Sequence, residues 1–241
     1  MKINNNVLGG ITALAIGACM ASSAYATNIV LDYGSVHSGV GGEFVVKTDG
    51  TAASTAFVNA TMANYNSLAT YQGGFETFCI EYNEHFSPGS SYTYQVSPNA
   101  ISTPSDPVSV GTAYLYSMFA QGSLSGYNYS STTSAGNLQN TFWFLEGDQP
   151  SMPNTFLALL TTEFGSVAAA QGDSFTYNNG NVVNAASFGV AALNLGGIAN
   201  NWPNQDQLVY QGRQNVPDGG TTLMLLGMAM GGMSLLRRKL S

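Results

Sequence analysis

The 241-residue sequence predicts an α+β fold: a single strand-rich domain, barrel-like or sandwich-like, with a helical middle, preceded by a signal peptide and followed by one short membrane helix. Three observations predict it. Short runs of alternating apolar and polar residues lie toward both ends of the central region, glycine-rich turns separate them, and apolar residues recur at helical spacing between them. A hydrophobic fraction of 44% with 11% aromatics is enough to build a core, although charged residues are only 8%.

The N-terminus opens with Lys2, runs through an apolar stretch from Val7 to Met20 and reaches the small-residue triplet Ala24-Tyr25-Ala26. This is the layout of a secretory signal peptide over residues 1–26, with Ala24 and Ala26 marking the cleavage site. The stretch is short for a membrane span, and no stop-transfer charges follow it.

The mature domain, residues 27–215, begins with strands at Asn28 to Tyr33 and Glu43 to Lys47 around the turn Gly39 to Gly42. The Ala-rich connector Thr48 to Thr70 carries no clear period. Phe75 to Phe86 reads as a strand bearing Cys79, paired across the turn at Pro88-Gly89 with a strand at Ser91 to Val96. Helices are expected at Val110 to Phe119, where Ala113, Tyr116 and Phe119 fall three apart, and at Leu138 to Glu146, behind Asn137 as cap and before Gly147. A third is expected from Thr155 to Ala170. Strands resume at Ser174 to Tyr177 and Gln207 to Tyr210.

The C-terminal segment, residues 216–241, reads Val216-Pro217-Asp218-Gly219-Gly220, then an apolar run from Leu223 to Leu236, then Arg237-Arg238-Lys239. Basic residues after an apolar run hold that end on the cytoplasmic side and act as a stop-transfer signal. The run holds about fourteen residues against the roughly twenty of a stable span, so a temporary inner-membrane anchor is expected. This tail resembles the VPDSG variety of the PEP-CTERM sorting signal, with Gly219 where the motif has Ser. The resemblance implies signal peptidase and a membrane-embedded exosortase as processing partners, and delivery to the cell surface or to an extracellular polysaccharide matrix.

Removing both ends leaves two bases, Lys47 and Arg213, against twelve acids, a net charge of about −10. Such a surface repels phosphate backbones and excludes nucleic acid as a partner. Cys19 leaves with the signal peptide, so Cys79 has no intramolecular disulfide partner and is buried, paired between molecules or chemically employed.

Catalytic patterns are thin. HExxH, CxxC and GxSxG are all missing, and the only His–acid cluster, Glu81, Glu84 and His85, reads as a polar strand edge rather than a metal site. Neither a cofactor, a metal nor an enzyme activity is expected. His85, six residues from Cys79 on an extended strand, would lie about 20 Å away, too far to act as its base. A glycan hydrolase is the competing reading, but Glu81 and Glu84, three apart on a strand, would point to opposite faces. Trp202 is the better exposed aromatic for stacking on a sugar, whereas Trp143 sits at helical spacing and reads as core.

Phe78-Cys79-Ile80-Glu81 and Leu138-Gln139-Asn140-Thr141-Phe142-Trp143 together resemble the two motifs of bacterial thioester adhesin domains, over Phe75 to Glu146. Thr141 and Phe142 depart from the Ala and aliphatic residue usual there. The resemblance implies an internal thioester between Cys79 and Gln139, the glutamine starting a helix, with Phe78, Phe142, Trp143 and Phe144 as a dry wall and a surface amine or hydroxyl as the later attacker. Such a module is a covalent adhesion device rather than an enzyme.

Overall fold

The computed structural model describes residues 27–39, 41–101, 106–150, 154–196 and 204–213. The expected signal peptide (residues 1–26), the expected sorting tail (residues 216–241) and Trp202 lie outside them. Among the described residues no helix is long and apolar enough to cross a membrane.

The order of elements is β1 (Asn28–Ser38), β2 (Gly41–Thr48), α1 (Ala52–Met62), β3 (Thr70–Tyr71), β4 (Gly74–Thr77), β5 (Ser90–Ser97), β6 (Asn99–Ala100), β7 (Asp106–Pro107), α2 (Val110–Ala120), α3 (Thr132–Leu145), α4 (Thr155–Phe164), α5 (Val167–Ala170), β8 (Ser174–Thr176), β9 (Val182–Asn184), β10 (Val190–Leu195) and β11 (Gln207–Tyr210). Seven strands form one sheet in the order β11-β10-β5-β1-β2-β4-β3. The sheet closes on itself. Past the end of β4, Cys79 forms an antiparallel bridge to Gln207, with Leu208 N–H donating to Phe78 O and Ile80 N–H to Asp206 O, both at 3.0 Å. The strand-rich, α+β expectation therefore holds, and the sheet curls as a barrel does.

Side-chain alternation divides the core in two. Ile29, Leu31, Phe44, Val46, Phe75, Cys79, Leu193 and Val209 form one cluster that fills the space enclosed by the strands, with Val58 of α1 packed against them. The outward side of the seam, Phe78, Ile80, Leu208 and Tyr210, packs with Tyr116, Phe119, Leu138, Phe142 and Leu160 of the helices. Tyr116 staples the seam, its hydroxyl lying 2.9 Å from Glu76 O and 3.1 Å from Leu208 O.

Several expectations need correction. The strand at Phe75 to Phe86 is only Gly74–Thr77, and the chain from Ile80 onward turns away because its partners are loop groups such as Asp206 and Asp148 rather than a neighbouring strand. Ser91 to Val96 lies within β5, which pairs with β1 and β10 instead of with the Cys79 segment. The helix bearing Gln139 starts at Thr132, not Leu138, because Ser131 caps it by accepting from Ser134 N–H, and Asn137 lies inside it. Thr155 to Ala170 is two helices, broken where Gly165 adopts φ +77°. The connector Thr48 to Thr70 contains α1, capped by Thr51, and β10 went unread.

Candidate functional site

Cys79 lies where three elements converge. The β2–β4 ladder ends at the pair Phe44↔Thr77, so two residues further on the backbone of Cys79 has no strand neighbour on that side. A buried N–H and C=O left there would each be costly. The side chain of Gln139, from the middle of α3, satisfies both. Cys79 N–H donates to Gln139 Oε1 at 3.0 Å, and Gln139 Nε2 donates to Cys79 O at 2.8 Å. A carboxamide has the same donor and acceptor as a peptide, so Gln139 completes the sheet as a strand residue would.

Room for this side chain comes from Gly41. A Cβ there would stand 2.5 Å from both Gln139 Cγ and Trp143 Cη2. The missing side chain lets α3 close on β2, and Trp143 passes through the same opening to join the cluster containing Cys79. Cys79 and Gln139 are both fully buried. Gln139 is thus mid-helix and interior, where the sequence predicted a position at a helix start.

On the other side of the thiol stands Gln207, which the sequence reading missed. Its Nε2 donates to Cys79 Sγ at 3.4 Å and to Gln205 O at 3.2 Å, while its Oε1 is buried and finds no partner among the described residues. Burial pushes the Cys79 thiol well above its usual range; the Gln207 N–H counteracts this, and the nearby charge of Glu81 adds to it. The only signal for Gln207 was a polar residue heading the apolar strand QLVY, in register with inward-facing Leu193.

Chemically, the arrangement gathers a thiol, a carboxamide whose carbonyl is polarised by a backbone N–H, and a second carboxamide on the sulfur. Of the aromatic residues named from the sequence, only Trp143 joins the cluster containing Cys79, while Phe78 and Phe142 pack on the other side of the sheet. Phe78 and Phe142 meet edge-to-face at 5.3 Å, Trp143 meets Tyr82 at 4.9 Å, and Phe144 is only partly buried. Thr141, the departure from the adhesin motif, donates to Asn137 O at 2.8 Å and receives Asn154 Nδ2 at 2.8 Å, tying α3 to the cap of α4.

A cavity of about 190 Å³ lies beside this group, lined by Tyr33, Phe44, His85, Phe86 and Gln205 among others. Gln205, which lines it, accepts through its carbonyl from Gln207 Nε2 at 3.2 Å. His85 is exposed here, its backbone bridged to Asn204, so the extended-strand separation assumed between it and Cys79 does not apply. His37 stacks on Tyr33 with ring centroids 4.2 Å apart, at the same end.

The acids near the site are less solvated than a strand edge would make them. Glu81 Oε2 accepts from Asp206 N–H at 3.0 Å, and burial, with the charges of Asp206 and Glu84, pushes Glu81 up to about 9. Glu84 is pushed up to about 7 by burial and by Asp206 and Asp148. A second pair escaped the sequence reading: Glu43 on β2 and Glu76 on β4 are both fully buried. Glu43 accepts from the hydroxyls of Tyr127 and Ser35, and burial together with Glu76 raises its carboxyl to about 8. A glycosidase needs two carboxyls across an open cleft; these two lie under Tyr127 and Ser35. Among the described residues no group of three or more His, Cys, Asp or Glu is placed to hold a metal ion.

Fold and site together define a closed, strand-rich domain with a helical layer that delivers a glutamine amide onto a buried cysteine. Beyond that domain, the VPDSG-CTERM motif family matches residues 215–240. The match supports an exported protein sorted by an exosortase, and implies delivery to the cell surface. No curated protein and no solved structure matches the chain.

Proposed function

We propose that this is a surface or exopolysaccharide-matrix protein whose mature domain forms an internal thioester between Cys79 and Gln139 and uses it, once, to attach covalently to an amine or hydroxyl on a partner. Signal peptidase and exosortase act on it during export, and the basic tail holds it briefly in the inner membrane. The observation that carries the reading is the paired hydrogen bond of the Gln139 carboxamide to the Cys79 backbone inside a fully buried site that Trp143 also enters. Water exclusion keeps the acyl sulfur bond from hydrolysis until a nucleophile is bound.

The test is the intact mass of the purified mature protein. Formation of the bond removes one ammonia, and methylamine then adds at Gln139 while exposing a thiol at Cys79. An unmodified mass, with Cys79 alkylated stoichiometrically after denaturation, refutes the reading.

A further inference from the structure

Resting on that reading, we infer that Gln207 is the residue that positions the Cys79 sulfur, and that the hydrogen bonding of two carboxamides decides which of them acylates it. Both Gln139 and Gln207 touch Cys79, and both are fully buried. They touch it differently. Gln207 contacts the sulfur itself, through Nε2 at 3.4 Å, and its carbonyl oxygen has no donor among the described residues. Gln139 contacts the backbone, and its carbonyl oxygen receives the Cys79 N–H at 3.0 Å.

Sulfur attack on a carboxamide carbon moves charge onto the carbonyl oxygen, so the reaction is favoured where a donor already faces that oxygen. Only Gln139 has one. Gln207 instead offers its N–H to the sulfur, which stabilises the thiolate as the proton leaves and orients the lone pairs. In the step, the Sγ–H bond breaks and Sγ bonds to Gln139 Cδ; the Cδ–Nε2 bond breaks, and the thiol proton ends on Nε2, which departs as ammonia. No oxidant or further reactant is required. The closure of the barrel at Cys79↔Gln207 is what holds the positioning amide in place.

The full chain, Gln207→Leu and Gln207→Glu are refolded from denaturant, loss of ammonia is followed with time by intact mass, and the cross-linked peptides are mapped. Gln207→Leu should form the bond about tenfold more slowly, the worth of one hydrogen bond to a charged sulfur, and still at Gln139. Gln207→Glu keeps the shape but donates only while protonated, so its rate should fall with rising pH, whereas the wild-type rate rises as thiolate accumulates. That opposite pH profile distinguishes positioning from mere packing, and decides the matter if the leucine variant does not fold. Bond formation at the wild-type rate in Gln207→Leu, parallel pH profiles, or a cross-link mapping to Gln207 overturns the inference while leaving a thioester in place. A wild-type chain that never loses ammonia removes the thioester and this inference together.

Discussion

Gly41→Ala is the smallest change that should dismantle the site. The new Cβ would lie 2.5 Å from Gln139 Cγ and from Trp143 Cη2, where unstrained carbon contacts are about 3.5–4.0 Å. Each neighbour must retreat by about 1 Å. Trp143 is nearly fully buried and has little space to move. Gln139 can yield only by leaving Cys79, and a shift of that size takes contacts of 2.8 and 3.0 Å beyond hydrogen-bonding range. Overpacking costs roughly 1–3 kcal/mol, and two buried hydrogen bonds about 1 kcal/mol each, so the expected loss is roughly 2–4 kcal/mol allowing for partial relaxation. Denaturant unfolding should show the midpoint falling with the slope unchanged, and intact mass should show the ammonia retained. Trp143→Phe in the same chain should restore part of the loss, a coupling that a double-mutant cycle reads directly. A Gly41→Ala protein as stable as wild type to within about 0.5 kcal/mol, with the Cys79 bond formed normally, would refute the claim that this glycine makes room for Gln139.

Two further outcomes follow from the same geometry. Glu43 is held protonated by burial to about pH 8, against 4.5 for the free side chain, so the folded state keeps a proton that the unfolded chain releases. Its contribution to stability is therefore present at low pH and declines as pH rises from about 4.5 to 8, by at most about 1.4 kcal/mol per pH unit. Glu43→Gln should flatten that part of a stability profile measured between pH 5 and 8; an unchanged slope would contradict it. Tyr116→Phe removes the hydroxyl that reaches the Glu76 and Leu208 carbonyls across the seam, and should cost about 1–2 kcal/mol. Hydrogen exchange should localise the loss to β4 and β11, and uniform loss across all strands would count against a staple.

The sequence by itself determined what local chemistry can encode. Strands in the runs NIVLDY and QLVY, the helix at Val110, and the break at Gly147 follow from side-chain period and from glycine's access to positive φ. The C-terminal sorting motif was equally legible, because a short linear signal acts through its own sequence and polarity and needs no tertiary partner. Cys79 and Gln139 could be named as a pair only through their resemblance to a known pair of motifs, since nothing local links residues 60 apart.

Tertiary structure decided the rest. The run after Cys79 alternates well enough to be a strand, yet it leaves the sheet because its hydrogen-bonding partners come from the loop before β11. Gln139 is interior because a strand ladder ends two residues before Cys79 and a buried peptide must be paired by something. Gln207 joined the site because closing the sheet sets β11 beside β4, and Glu43 holds its proton because packing buries it and Glu76 arrives beside it from another strand. In each case the deciding quantity is the cost of leaving a buried polar group unpaired or crowded by like charge, which exists only once distant parts of the chain have enclosed it.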